Sequence, residues 1–113
     1  GLGDVYKRQS KRKIGDYKGG LFDLNKAVEI DPDKEAAYFS RALLKDELKD
    51  YYGAISDYNR SILINAEKGL SFLNRSILKE KINDLAGACF DAKKAVSLGE
   101  ESSENKSWIK KNC

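Results

Sequence analysis

Apolar side chains recur at helical spacing through most of this chain, and the pattern itself repeats. "GDYKGGLFDLNKAVEIDPDKEAAYFSRALLKDEL" begins at Gly15, "KDYYGAISDYNRSILINAEKGLSFLNRSILKEKI" at Lys49, 34 residues later, and "NDLAGACFDAKKAVSLGEES" at Asn83, again 34 later. A fixed period of this length marks a stack of equivalent helical units, each leaving an apolar face that only its neighbour can cover.

Aligned at that period, the columns acquire physical meaning. Asp16, Asp50 and Asp84 precede apolar-periodic segments, where a carboxylate accepts the unpaired N–H groups of a helix start, so each is predicted to open a helix. Gly20, Ala54 and Ala88, and seven residues on Ala27, Ser61 and Ala95, form small columns that let two helices approach closely. Leu24, Tyr58 and Ala92 stand between them and fill the groove beside the contact. The intervening segments "EAAYFSRALLKDEL" and "GLSFLNRSILKEKI" are helical as well, placing Tyr38 over Phe72, Ala42 over Ser76 and Leu44 over Leu78. Gly15, Lys49 and Asn83 occupy the joints within the pairs, where a left-handed residue is needed; Gly supplies it freely and Lys at a cost of about 1 kcal/mol. The expectation is an all-α, antiparallel helix-pair solenoid of about two and a half repeats, spanning residues 10–34 (partial), 35–68 and 69–102. Residues 103–113 are expected to form a capping helix whose Trp108 covers the last apolar face, with Lys106, Lys110 and Lys111 solvated.

At these positions the chain resembles the tetratricopeptide repeat family. Tyr38, Ala42, Tyr51, Ala54 and Tyr58 carry the family pattern in the second copy, Phe72, Ser76 and Ala88 in the third, and Tyr17, Leu24, Ala27 and Pro32 in the first. The chain departs from it at Arg41 and Arg75, where Leu is common, at Lys45 and Lys79, where Tyr is, and at Ala92, where an aromatic is. The resemblance implies a right-handed superhelix with the first helix of each pair lining a concave groove for peptides or partner helices.

The first ten residues, "GLGDVYKRQS", fit no copy. Back-translated, residues 1–9 resemble the end of a common transposase sequencing adapter, so they are expected to be a non-native, disordered scar that displaces the first helix of the first repeat. A Gly1-x-Gly3 pair without a preceding strand or third glycine carries no nucleotide-binding signal.

Composition narrows the chemistry. Twenty-one basic against 18 acidic residues, net +3, is too near neutral to argue for nucleic acid, and no apolar run is long enough to insert in a membrane. There is no His, no Cys pair at metal spacing and no phosphate loop, so no catalytic residue, metal or cofactor is expected and the chain is read as no enzyme. Carboxylate pairs such as Asp31 with Asp33, or Asp46 with Glu47, read as solvated charge in joints and helix ends. Cys89 and Cys113 make no disulfide framework, and Cys89 reads as a small packing residue.

Following the resemblance, the partner is expected to be a protein or peptide. The groove candidates are Phe39, Ser40, Leu43, Asp46 and Glu47 in the second repeat, with Leu73, Asn74, Ile77, Glu80 and Lys81 in the third. They make a surface apolar in the middle and charged at one edge. Co-chaperone members of the family hold the carboxylate of a chaperone tail with a Lys and Asn pair, a second Asn, and a Lys and Arg pair. Here Phe39 and Leu43 stand at the first two places, Asn74 matches the second Asn, and no full following helix supplies the rest, so no complete carboxylate clamp is expected. The function expected is an interaction scaffold; the alternative is the C-terminal repeat region of a larger enzyme or sensor whose catalytic part lies upstream.

Overall fold

The computed structural model describes the backbone from Leu2 and the side chains from Gly15 onward. Among the described residues the chain is all helix and turn: α1 (Leu2–Ile30), α2 (Glu35–Glu47), α3 (Tyr51–Ile64), α4 (Gly69–Lys81), α5 (Leu85–Ser97) and α6 (Ser103–Asn112). Each helix packs on the next, with the tightest pairings α2 on α3 and α4 on α5, as a solenoid of helix pairs requires.

The pairs are built by the predicted columns. Ala54 and Ala88 are fully buried, as are Ser61 and Ala95, and between them Tyr58 is 1% exposed. Ala42, Ala54, Tyr58 and Leu78 form one core cluster, flanked by Phe39, Tyr51 and Ile55. Removing a methyl-sized gap here is what brings the backbones close enough for the larger side chains to interdigitate.

The joints within the pairs follow one construction. Lys49 (φ 63°) and Asn83 (φ 66°) are left-handed. Lys49 N–H bonds the Asp46 carbonyl and Asp50 N–H the Lys45 carbonyl; Asn83 and Asp84 repeat this on Glu80 and Lys79. These paired reverse bonds satisfy the last carbonyls of the outgoing helix and turn the chain back on itself. The next helix is then capped: the Asp50 carboxylate accepts from Gly53 N–H and that of Asp84 from Gly87 N–H, both at 3.0 Å. A Cβ at Gly53 or Gly87 would meet the capping carboxylate as placed here and force it to shift.

Two expectations at the ends are corrected. Gly15 makes no joint and Asp16 opens no helix; α1 runs unbroken from Leu2 to Ile30. The repeat register supplies the reason. Ala42 and Ser76, the buried contact positions of α2 and α4, correspond in sequence to Arg8, so the first copy lacks the small residue on which a helix pair closes. With no pair to form, nothing pulls the chain out of helix at Gly15. The packing expected to be absent at residues 1–9 concerns side chains outside the described residues.

At the other end, Cys89 and Cys113 are bonded to each other across 24 residues, with Cα atoms 5.8 Å apart. Cys89 is therefore a covalent tie rather than a packing residue. Helix α6 folds back along α5, which brings Cys113 beside the second turn of α5, a meeting that linear spacing does not display.

The four cationic departures from the family pattern, Arg41, Lys45, Arg75 and Lys79, belong to one device. Arg41 donates to both oxygens of Asp57 at 2.9 and 2.6 Å, and Lys45 adds a contact at 3.1 Å. One repeat on, Arg75 holds Asp91 at 2.7 and 2.7 Å and Lys79 joins at 3.0 Å. Each arginine also reaches back to the preceding second helix, Arg41 to Asn25 and Arg75 to Asn59. Asp57 and Asp91 are buried, and two cations per carboxylate, one of them in a bidentate fork, compensate the lost hydration. The fork onto Asp57 raises the Arg41 pKa above its ordinary value, fixing its charge.

Candidate interaction groove

Helices α2, α4 and α6 form a continuous surface. Lys81 of α4 bonds Asp46 of α2 at 3.2 Å, and a cleft of about 230 Å³ joins α4 to α6. Columns one period apart repeat along it, Phe39 with Leu73 and Leu43 with Ile77.

The ten candidates divide by what they touch. Leu43 and Ile77 are 43% and 45% exposed, so neither is consumed by packing between helices. Leu73, Ile77 and Glu80 line the cleft together. Phe39 is half-buried edge-on against Tyr58, with ring centroids 5.6 Å apart, and carries the Lys68 ammonium 3.7 Å over its face. That cation–aromatic contact ties the residue before α4 to α2. Ser40 and Glu47 are exposed. Asp46 and Lys81 are spent on each other, with Lys81 also 5.0 Å over the Tyr51 ring.

Asn74 donates through Nδ2 to the Tyr58 hydroxyl at 3.2 Å. Burial pushes the Tyr58 phenol up to about 12, with the Asn74 bond opposing and the nearby Asp46 and Asp57 charges adding to it. The phenol therefore stays neutral, and it accepts one of the two Asn74 amide N–H donors.

Helix α6 contributes the wall that the sequence did not disclose. Ser102 caps it by accepting from Asn105 N–H at 3.1 Å. The Asn105 side chain, buried at 7% exposure, donates to the carbonyls of Glu100 and Ala92 and so fixes the helix on α5. Trp108, expected to cover the last apolar face, is half-buried and instead lines the cleft with Leu73, Ser76 and Ile77, beside Glu104 and Ser102. The signal available in the sequence was the register of Asn105 and Trp108, one turn apart after a Ser cap. Only the docking angle of α6 decides which of the two is buried.

Among the described residues no three His, Cys, Asp or Glu side chains gather as a metal would require. Among the described residues no helix is long and apolar enough to cross a membrane.

Residues 35–68 match a family model described as tetratricopeptide repeat, the same span as the second repeat. Among curated proteins none matches the chain. Solved structures match it over nearly its whole length. The first tetratricopeptide domain of Spaghetti (RPAP3), bound to the HSP90 peptide SRMEEVD, superposes with a TM-score of 0.79 at 21% identity, covering 95% of this chain and 86% of that one. The Arabidopsis OM64 tetratricopeptide domain gives 0.78 at 19% identity, with 96% and 91% covered. The second such domain of human RPAP3, in complex with the HSP70 peptide SGPTIEEVD, gives 0.77 at 17%, with 93% and 89% covered. The fold is that of tetratricopeptide-repeat domains.

Proposed function

We propose that the chain is a protein-interaction module that holds a peptide segment or partner helix along α2, α4 and α6. The observation that carries this reading is the part-exposed apolar set Leu43, Leu73, Ile77 and Trp108, drawn from the alternate helices α2, α4 and α6 and bordered by charge. Side chains in such a set lose water when covered, and the flanking charges fix the orientation of what covers them. Two of the similar structures hold peptides, and that use of the fold supports the reading.

The occupant is not proposed to be an acidic chaperone tail. Phe39 and Leu43 offer no donor where such a clamp needs a Lys and an Asn, and one of the two Asn74 N–H donors is spent on Tyr58. Titration with the SRMEEVD peptide is expected to give no saturable binding; micromolar binding that Asn74→Ala abolishes would overturn this exclusion.

The positive test is selection of binding peptides from a displayed random library. Selected peptides should lose affinity on Ile77→Glu or Leu43→Glu and keep it on Phe90→Glu, an exposed aromatic on α5. Peptides indifferent to both groove variants would refute the module as placed here.

A further inference from the structure

Three features of the α4–α6 cleft together define what it accepts. The first is its floor. Leu73, Ile77 and Trp108 supply aliphatic and indole surface, and at about 230 Å³ the space is smaller than the roughly 300–1,000 Å³ that holds a drug-sized ligand. It is a space for one or two side chains of a longer segment.

The second is its charge. Glu80 from α4 and Glu104 from α6 are the charged residues on its lining, both exposed carboxylates, and among the described residues neither takes part in an ion pair. The cations of α4 are committed elsewhere: Arg75 and Lys79 to Asp91, Lys81 to Asp46. On the opposite side of α6 the charge reverses, with Lys93 and Lys106 flanking Val96 and Ile109. The negative rim is therefore a property of this cleft and not of the helix as a whole.

The third is its rigidity. Asn105 bonds two carbonyls at the start of α6, and Cys113 is bonded to Cys89 at its end, so the Trp108 wall is fixed at both ends before anything binds. A fixed wall spares the ordering cost that a mobile one would add to binding.

Resting on the interaction-module reading, we propose that this cleft is a subsite for an apolar side chain flanked by Arg or Lys in the partner peptide. The apolar side chain displaces water from Leu73, Ile77 and Trp108, and the flanking cations meet Glu80 and Glu104 and can lie over the indole face. An acidic segment would instead place like charges beside two unpaired carboxylates.

Trp108 is the only tryptophan in the chain, so its emission reports this subsite without a label. The test titrates the full oxidised chain with two synthetic peptides that share a central Leu, one flanked by Arg and Lys and the other by Glu. The basic peptide is expected to shift Trp108 emission and to bind at least roughly tenfold more tightly, weakening as salt is raised. The double variant Glu80→Lys, Glu104→Lys, which alters two exposed side chains, is expected to reverse that preference. Equal binding of the two peptides, an unmoved emission, or a preference that survives charge reversal would overturn the subsite. If library-selected peptides still depend on Leu43 and Ile77 in that event, the module stands and the subsite alone is wrong; if they depend on neither, both fall.

Discussion

The first second-helix of the array and its two successors are written in the same letters and behave differently. Asp16 and Gly19 stand in the columns of Asp50 with Gly53 and Asp84 with Gly87, and Asp23 stands in the column of Asp57 and Asp91. In α3 and α5 the first pair makes a helix cap and the second carboxylate is buried under an arginine fork. In α1 a Cβ at Gly19 would meet nothing, and Asp23 is exposed with no cation paired to it among the described residues. The difference is the absent antiparallel partner. A cap needs a chain that has just turned, and a buried carboxylate needs a helix that supplies both the cover and the counter-charge.

This contrast yields its largest expected effect at the carboxylate column. Asp91→Asn leaves Arg75 and Lys79 without their counter-ion under cover and should cost roughly 3 kcal/mol in urea unfolding, with Asp57→Asn close behind. Asp23→Asn should stay within about 0.5 kcal/mol. Three equal losses would show that the column is not set by the partner helix.

Next in size is the contrast between the two ends. Where α1 has no stapled partner, α6 is closed onto α5 by the Cys89–Cys113 bond. Reduction, or Cys113→Ser, removes a loop constraint worth roughly 3 kcal/mol or somewhat less where native contacts hold α6 in place. The melting temperature in reductant should fall accordingly, and the Trp108 emission should move with it, because the bond holds the wall that carries the indole.

The glycine column gives a smaller effect with opposite signs. Gly53→Ala and Gly87→Ala push out the capping carboxylates and should destabilise by about 1 kcal/mol each. Gly19→Ala lies within a continuous helix and should stabilise by about 0.5–1 kcal/mol. Thermal melts of the three single variants decide this directly.

A last, pH-dependent effect concerns Tyr58, which the third repeat replaces by Ala92 and the first by Leu24. Its folded pKa of about 12 lies above the ordinary 10.0, so the stability that the neutral phenol contributes is complete below pH 10 and is lost as pH rises through 12. The stability difference between the native chain and Tyr58→Phe should be constant up to pH 10 and then shrink, in favour of Phe. A difference that does not change across that window would contradict the burial of the hydroxyl.

Much of this was legible before any coordinates. The period, the small columns and the left-handed joints at Lys49 and Asn83 read directly, because each depends on residues close in sequence or exactly repeated. The ion triads were present as letters too: Arg41, Lys45 and Asp57 recur at identical offsets as Arg75, Lys79 and Asp91, yet the cations read only as departures from a family pattern. Gly15 misled because a joint forms only when the flanking helices can pair, and Arg8 lies in the contact column. Of the residues that line the α4–α6 cleft, Leu73, Ile77 and Glu80 carry a sequence signal through the repeat columns; the α6 wall does not, since the approach of Trp108 to α4 and of Cys113 to Cys89 depends on how the last helix docks.

The interaction groove itself is tested most directly by backbone amide chemical-shift mapping of the ¹⁵N-labelled chain with a library-selected peptide. The account requires the perturbed amides to cluster at Leu43, Leu73, Ile77 and Trp108, with Tyr52 and Phe90 unchanged. Perturbations centred on Tyr52 and Phe90, with α4 and α6 silent, would contradict it.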